Sequence, residues 1–340
     1  MRILALTILA IAIVAVAGSV PAEVAKSYEI EVPLGLQREV MYLPAENEVT
    51  AMKVELGKQL FFDPRLSRDH LVSCASCHDP ELAFTDGRQT SIGIDGQIGD
   101  RNAPTIVNRV FSLDQFWDGR AGSLEEQAKG PLINPIEMGF THEGVVSRVR
   151  EVEGYRHQFA AVFDTEEVTI DLVTQSLAAF ERTLMSGDSP FDRFAGGDST
   201  AMSDSAQRGL VLFRGRTECF RCHVGFNFTD ENYRNIGVGM DGVDADVGRM
   251  AVTERPEHRG AFKTPPLRDV ALTAPYFHDG SVGTLEAVVD YYDKGGIANP
   301  QLAPEIKRLD LTPQEKVDLV EFMKALTGEQ PRLEVPVIPK

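Results

Sequence analysis

The chain has 340 residues, of which 43% are hydrophobic and 25% are charged, and its formal net charge at pH 7 is −17. So strong an excess of acidic groups argues against nucleic acids and anionic membranes as partners, and favours encounter with a basic protein. The length is sufficient for two modest domains, each with a hydrophobic core of its own.

The N-terminus has the pattern of a secretory signal peptide. Arg2 precedes an uncharged apolar run over residues 3–17, and Val20-Pro21-Ala22 offers a small-residue cleavage site. The run is shorter than the ~20 residues that a spanning helix needs. We predict that the signal peptide 1–22 is removed and that the mature chain is periplasmic, without a membrane span. An uncleaved anchor is the alternative.

All four cysteines lie in two five-residue frames, Cys74-Ala75-Ser76-Cys77-His78 and Cys219-Phe220-Arg221-Cys222-His223. Each frame is C-x-x-C-H, the attachment site of a c-type haem. Its two thiols can form thioethers to the two porphyrin vinyl groups, and the following His can ligate the iron. We predict two covalently bound haem c groups. A structural zinc or disulfides are the alternatives, but neither requires a His after both cysteine pairs.

A weak internal repeat surrounds these frames. Gly, Leu and Phe recur at the same offsets in Gly57-Lys58-Gln59-Leu60-Phe61 and Gly209-Leu210-Val211-Leu212-Phe213, which precede the first and second frame. A short helix that packs its apolar face on each haem would explain the recurrence. The sequence thus predicts two tandem cytochrome c-like domains, 23–185 and 206–340, joined by a Gly-, Ser- and Asp-rich linker over 186–205.

Helical periodicity dominates the rest of the chain, so we predict a mostly α fold. One amphipathic face is formed by Val173, Leu177, Phe180 and Leu184, with Gly187 as the expected stop. Thr312-Pro313-Gln314-Glu315 reads as a capping box with Pro at the first helical position. The buried face expected for that last helix consists of Val317, Val320, Met323 and Leu326, and Gly328 is expected to end it.

Beyond the two frames, the sequence resembles the bacterial di-haem cytochrome c peroxidase family, which includes the MauG-type enzymes. The resemblance extends in order over nearly the whole mature chain. The runs that carry it are Leu60-Phe61-Phe62-Asp63-Pro64-Arg65-Leu66-Ser67, Arg101-Asn102-Ala103-Pro104-Thr105, Phe116-Trp117-Asp118-Gly119-Arg120-Ala121, Gln127-Ala128-Lys129-Gly130-Pro131, Asn134-Pro135-Ile136-Glu137-Met138 and the segment 266–280.

The resemblance implies that the two haems have different roles. His78 would ligate the iron of the first haem, which reacts with peroxide, and His223 that of the second, which transfers electrons. Trp117 would lie between the haems as an oxidisable connection, a role compatible with simple packing of a buried aromatic ring at the interface. Glu137 and Gln127 match the residues of the open side of the first iron, with Pro131 beside them. There a buried carboxylate with a raised pKa can accept and return a proton.

The family also has a calcium site between its domains. Asn102, Thr273 and Pro275 match it, through one side-chain amide oxygen and two backbone carbonyls, which are hard oxygen ligands. The resemblance therefore implies one Ca²⁺. Without the resemblance, Asn102 would be an ordinary loop residue.

Two positions depart from the reductively activated peroxidases of the family. Those enzymes block the first iron at rest with a His, and the corresponding residue here is Ile94, which cannot ligate. We expect a first haem that needs no prior reduction. They also ligate the second iron with a Met, where this chain has Tyr292 beside Tyr291.

Tyr292 resembles the second-haem ligand of the MauG-type branch. As a ligand, its phenolate oxygen would stabilise oxidised iron. If both tyrosines only pack near the haem, the ligand would be Met240, Met250, Met323 or His258. Of the other histidines, His278 matches a family position and is expected to support the haem pocket. Surface positions are expected for His70, His142, His157 and His258.

The function implied by the resemblance is the reduction of hydrogen peroxide to water, with electrons from a small cytochrome c or cupredoxin. In the MauG-type alternative, a protein substrate supplies the electrons from its own Trp or Tyr. A third alternative is a non-catalytic di-haem electron-transfer cytochrome, whose haems would both be six-coordinate. The resemblance leaves a homodimer open.

Overall fold

The computed structural model describes residues 28–340, so the predicted signal peptide lies outside the described residues. Over that range the chain forms ten α-helices and one two-stranded antiparallel sheet, β1 (Tyr233–Arg234) with β2 (Phe262–Lys263), as the mostly α prediction expected. The helices are α1 (Ala51–Phe62), α2 (Leu124–Ile133), α3 (His142–Glu151), α4 (Glu153–Phe163), α5 (Ile170–Glu181), α6 (Pro190–Ala195), α7 (Asp204–Arg214), α8 (Met250–Thr253), α9 (Leu285–Lys294) and α10 (Pro313–Lys324). None of the helices in residues 28–340 is long and apolar enough to span a bilayer.

Side-chain caps fix where most of the helices begin. A Ser or Thr hydroxyl accepts a hydrogen bond from a backbone N–H in the first turn, which satisfies a donor that the helix itself leaves free. In α10 the predicted capping box is present. The Thr312 hydroxyl accepts from the Glu315 amide, and the Glu315 carboxylate accepts from the Thr312 amide. The capping residues are Thr50, Ser123, Thr141, Thr169, Ser189, Ser203, Thr284 and Thr312.

Two large hydrophobic cores divide the described chain. The first is built mainly on α1–α5, with Leu60, Phe61 and Phe180 almost completely buried. The second is built on α6, α7, α9 and α10 around Phe322. The haem frames are attached to different cores, since Cys74 packs against the first and Cys219 against the second.

Each core is centred on one close helix crossing of the same kind. In α1, a Cβ added to Gly57 would lie 1.9 Å from the carbonyl oxygen of Ser176 in α5. In α7, a Cβ added to Gly209 would lie 1.9 Å from that of Asp318 in α10. The recurrent glycine is therefore needed for the two helix backbones to come into contact. The recurrent Phe four residues later packs on a Phe ring of the partner helix, as in the pairs Phe61–Phe180 and Phe213–Phe322.

Three details differ from the sequence-based expectation. Helix α5 ends at Glu181, before Gly187, because the amides of Thr183 and Leu184 bond to carbonyls three residues back and tighten the last turn. Val317 is 51% exposed, because it shares the outer side of α10 with Lys324, seven residues further on. Helix α10 itself ends at Lys324, ahead of Gly328.

The segment 186–205, predicted as a linker, contains α6 and contributes to the second core. Phe191 is buried against Phe228 and Phe322. Asp192 forms a fully buried ion pair with Arg268, whose two terminal nitrogens each lie 2.8 Å from a carboxylate oxygen. The segment is thus held firmly at the second half of the chain.

Candidate active site

One cavity of about 1020 Å³ lies between the two cores. Residues from both halves of the chain line it, so neither core encloses it alone. Every site residue singled out in the sequence contributes to its wall: Cys74, Cys77, His78, Asn102, Trp117, Gln127, Glu137, Cys219, Cys222, His223, Thr273, Pro275 and Tyr292.

The two haem frames have the same local geometry. Each begins with a short 3₁₀ turn, after which the amide of His78 donates to Cys74 O (2.9 Å) and that of His223 donates to Cys219 O (3.0 Å). The Nδ1 atom of His78 lies 3.1 Å from Phe84 O, and that of His223 lies 3.0 Å from Phe228 O. A carbonyl can only accept, so Nδ1 carries the proton and Nε2 keeps its lone pair for a metal.

Burial lowers the pKa of both imidazoles and so favours the neutral form that ligates iron. All four cysteines are unpaired thiols, and burial raises the pKa of Cys74 to about 12. In residues 28–340, no three or more His, Cys, Asp or Glu side chains come together in a group that could hold a metal ion directly. Two thiols and one imidazole on the rim of a large cavity are the donor set that a covalent haem requires, so these residues fit that group.

The side of the cavity near the first frame holds the predicted acid–base residues. Gln127 and Pro131 lie on α2, and Glu137 follows shortly after its end. Burial raises the pKa of the Glu137 carboxyl, against a smaller opposing effect of the Arg120 charge. One carboxylate oxygen accepts a hydrogen bond of 2.8 Å from the amide nitrogen of Asn134, which fixes the orientation of the group.

Ile94 lies in the first core, with no exposed surface. Its amide donates to the Glu137 carbonyl (2.9 Å), and the side-chain amide of Gln97 donates to Pro135 O (2.8 Å). These contacts hold the loop over residues 91–99 against the segment that carries Glu137. The sequence alone indicated only that Ile94 cannot ligate, whereas the structure shows that its side chain is a packing element.

Trp117 joins the first half of the chain to the second. Its indole Nε1 donates to Asn102 O (2.9 Å), and its own carbonyl accepts from the Lys263 amide (2.8 Å). The side-chain amide nitrogen of Asn102 donates to Arg88 O (2.9 Å) and Gln89 O (3.3 Å), which leaves Oδ1 as the atom available to a cation. Backbone contacts of this kind leave no pattern in the local sequence.

The two neighbouring tyrosines have different surroundings. The Tyr291 hydroxyl donates to Ile236 O (2.9 Å), whereas the Tyr292 hydroxyl has no hydrogen-bond partner within residues 28–340. Tyr292 lines the cavity that contains His223, and burial raises the pKa of its phenol. Met323 lines the same cavity. Within residues 28–340, its wall does not include the other candidate ligands Met240, Met250 and His258.

His278 is buried and stacks on Phe262, with ring centroids 3.6 Å apart. Burial lowers its pKa to about 4, so it is a neutral ring in the cavity wall. Of the histidines expected at the surface, His70 and His157 are exposed, and His142 and His258 are half-buried.

Three charged residues of the cavity wall were not predicted from the sequence. They are Arg109, which is half-buried, and Glu181 and Lys263, which are buried. Burial raises the pKa of Glu181 to about 8 and lowers that of Lys263 to about 8. Single charged residues on helices or strands carry no sequence signal of burial, which explains the omission.

A longer internal repeat links the cavity walls of the two halves. The backbone conformation of the segment 102–133 is repeated 161 residues further along the chain. Phe116 and its counterpart Phe277, for example, have φ angles of 67° and 70°. The bridge Gln115–Ala121 has its copy in Tyr276–Val282. At this spacing Trp117 corresponds to His278, and Pro131 corresponds to Tyr292. The signal was visible in the sequence as Phe-x-Asp-Gly in both segments.

Two family models match the chain. The model for di-haem cytochrome c peroxidase matches residues 51–200, and the model described as RoxA-like, cytochrome c-like matches residues 261–294. The first match includes the first frame and the segment with Glu137, and the second includes Lys263 and Tyr292.

Similar proteins bear two kinds of name. The chain is 43% identical to the methylamine utilization protein MauG of Methylorubrum extorquens, over 87% of this chain and 84% of that protein. It is 42% identical to the cytochrome c551 peroxidase of Nitrosomonas europaea, over 84% of this chain and 83% of that protein. A solved MauG-like protein associated with microbial copper homeostasis is 34% identical, with a TM-score of 0.82 over 89% of this chain and 96% of that one.

Proposed function

Because the chain belongs to the di-haem cytochrome c peroxidase family, we propose that it is a haem peroxidase that reduces hydrogen peroxide to water. The observation that carries this proposal is the position of Glu137. A half-buried carboxyl with a raised pKa lines the same cavity as His78, in the half of the chain that the peroxidase model matches.

Two covalent c-type haems belong to this function. Cys74, Cys77 and His78 would hold the first, and Cys219, Cys222 and His223 the second. When bound, the first haem would supply redox-active iron for the reaction with peroxide. The hydrogen bonds from His78 Nδ1 and His223 Nδ1 to backbone carbonyls support this assignment, because they fix each ring with Nε2 free.

The chain's own contribution to the chemistry is the movement of one proton. The Glu137 carboxylate would accept a proton from one oxygen of hydrogen peroxide and return it to the other oxygen, which would leave as water. Asn134 orients the carboxylate for this exchange, and Gln127 serves as a hydrogen-bond partner in the same pocket. Packing of Ile94 in the core keeps this side of the cavity free of a competing ligand.

Electrons reach the site through the second half of the chain. Trp117 connects the halves, and its indole is held at a fixed position by Asn102 O. The donor is a small cytochrome c or cupredoxin in the periplasm, where c-type haem proteins are matured. A net charge of −17 favours a donor with a basic face.

A second candidate function is oxidation of a Trp or Tyr in a protein substrate, as implied by the MauG-type resemblance. Tyr292 favours it, because its hydroxyl lacks a partner within residues 28–340 and lines the cavity of His223. Its counterpart in the first half is Pro131, which has no ligating side-chain atom. A phenolate at the second iron would stabilise oxidised states and disfavour electron uptake from an ordinary donor.

Stopped-flow mixing of the ferric holoprotein with hydrogen peroxide tests both candidates. A reaction that starts without added reductant and leaves a long-lived oxidised product supports the second. Rapid turnover with a small cytochrome c or cupredoxin as donor, without such a product, supports the peroxidase. No reaction with peroxide in either redox state would overturn both and favour a non-catalytic cytochrome.

The same segment that orients Trp117 is proposed to bind one Ca²⁺. Asn102 Oδ1 and the carbonyls of Thr273 and Pro275 would be its protein ligands, completed by water. Support comes from the Oδ1 atom of Asn102, which accepts no hydrogen bond within residues 28–340, and from the position of all three residues in the lining of the same cavity. Metal analysis of the purified holoprotein tests the proposal, which predicts one calcium per chain.

A further inference from the structure

The two repeated segments bind each other through a reciprocal pair of backbone hydrogen bonds. The Lys263 amide donates to Trp117 O, and the Asn102 amide donates to His278 O, both at 2.8 Å. At the spacing of 161 residues, Lys263 is the counterpart of Asn102, just as His278 is the counterpart of Trp117. The interface between the halves therefore has an approximate two-fold symmetry, and Lys263 occupies the position equivalent to Asn102.

The backbone carbonyls near Asn102 and those near Lys263 differ in the hydrogen bonds that they accept. Within residues 28–340, no hydrogen bond is donated to the carbonyls of Thr273 and Pro275, two of the proposed calcium ligands. Their counterparts at the same spacing are Ser112 and Asp114. Ser112 O accepts from the side-chain amide of Gln115 (3.0 Å), and Asp114 O accepts from Arg109 (3.2 Å) and from Lys263 Nζ. One copy of the site is thus filled by side chains and the other is not.

Within residues 28–340, the partners of the buried Lys263 ammonium are oxygen atoms. Its side chain is 4% exposed, and its ammonium group contacts Asp114 O and the carboxylate of Glu231. Burying an ammonium group costs free energy unless such partners compensate for the lost water. Oxygen atoms of a backbone carbonyl and of a carboxylate are also the ligands that Ca²⁺ selects.

We propose that the Lys263 ammonium is a tethered cation that takes, at the symmetry-related position, the place that Ca²⁺ takes beside Asn102. The proposal rests on the calcium site proposed above. Lys263 is in this view a positioning residue: it holds the Asp114 carbonyl, and hence the loop that carries Trp117, without a bound ion. The site beside Asn102, which has only neutral protein oxygens, needs an ion from solution.

The test is the calcium content of the holoprotein after equilibrium dialysis, with Lys263→Asn as the central variant. This substitution reproduces the residue of the other copy and frees the Glu231 carboxylate as an additional ligand. Lys263→Met, which removes the charge but brings no oxygen, is the matched control for burial. Lys324→Asn, at an exposed lysine, is the control for the change in net charge.

We expect Lys263→Asn to bind one calcium more than the unmodified protein, and the two controls to bind the same number as the unmodified protein. Equal binding by Lys263→Asn and the unmodified protein would overturn the proposal. If the unmodified protein binds none and Lys263→Asn binds one, the calcium site beside Asn102 fails while the assignment of Lys263 stands.

Should Lys263→Asn not fold, the reciprocal variant Asn102→Lys carries the test. Its ammonium would reach the carbonyls of Thr273 and Pro275 and replace the ion. We expect it to bind no calcium, and its thermal unfolding temperature to be insensitive to a calcium chelator that destabilises the unmodified protein. Retained calcium binding in Asn102→Lys would contradict the symmetry on which the inference depends.

Discussion

The Glu137 carboxyl is half-buried, and within residues 28–340 it accepts one side-chain hydrogen bond, from Asn134, a combination that suits a group that exchanges a proton. In Glu137→Gln the amide keeps the size of the side chain and loses the basic oxygen. We expect the rate of the reaction with peroxide to fall by about 10²- to 10⁴-fold, the usual contribution of general acid–base catalysis. Stopped-flow absorbance measures it, with Glu143→Gln at an exposed glutamate as the unaffected control.

The pH dependence of the same rate gives an independent check. Because burial raises the pKa of Glu137, the carboxyl becomes protonated at a higher pH than an ordinary glutamate, and the protonated form cannot accept a proton. The rate constant should therefore decrease as the pH falls through this raised pKa. Glu137→Gln should lack the inflection, and an inflection that persists in the variant would assign it to another group.

Tyr291 and Tyr292 form a natural pair for testing the ligand of the second iron. Tyr292→Phe removes the hydroxyl that faces the cavity, so we expect a changed ferric spectrum and a higher reduction potential for the haem bound by His223. Tyr291→Phe removes a hydrogen bond to Ile236 O and should leave both unchanged. Identical spectra for Tyr292→Phe and the unmodified protein would transfer the role to Met323, which lines the same cavity.

At the scale of helices, stability depends on the two close crossings made by glycine. Gly57→Ala and Gly209→Ala each place a methyl group 1.9 Å from a backbone carbonyl oxygen, so the helices must separate. The cost of overpacking is about 1–3 kcal/mol of unfolding free energy, partly offset by the better helix propensity of Ala. Denaturant unfolding of the holoprotein measures it. Gly283→Ala, where the new methyl group meets nothing within 4 Å, should change stability by less than about 0.5 kcal/mol.

The elements that the sequence predicted well are those coded by neighbouring residues. The haem frames and the cap at Thr312 depend on spacings of a few positions, and both are present. The exposed Val317 and the early end of α5 at Glu181 depend on which side of a helix meets another element. Such contacts are made between distant parts of the chain, and local periodicity does not contain them.

At the scale of the whole molecule, Trp117 lies in the wall of a cavity that both halves share. Its replacement should slow electron transfer between the haems of the two halves. In Trp117→Phe the ring still fills space, but the indole and its hydrogen bond to Asn102 O are lost. We expect the spectra of both haems to be retained, and electron transfer between them after peroxide addition to slow. Stopped-flow absorbance at wavelengths specific to each haem measures this. An unchanged transfer rate would show that Trp117 only packs.

The residues that the family motifs single out in the sequence all line one cavity of the folded chain. Other charged groups in the wall of that cavity were not predicted. Arg109, Glu181 and Lys263 belong to none of those motifs, and they line a cavity to which both halves of the chain contribute. The copy of the segment 102–133 at a spacing of 161 residues was the available signal, and it would have drawn attention to Lys263 as the counterpart of Asn102.

The burial of the cysteine thiols has a consequence for biogenesis. Thioether formation needs a thiolate and an open route for a rigid macrocycle, yet burial raises the pKa of Cys74 to about 12, so little of this thiol is ionised in the folded chain. We therefore expect haem attachment at the first frame to precede the docking of the two halves.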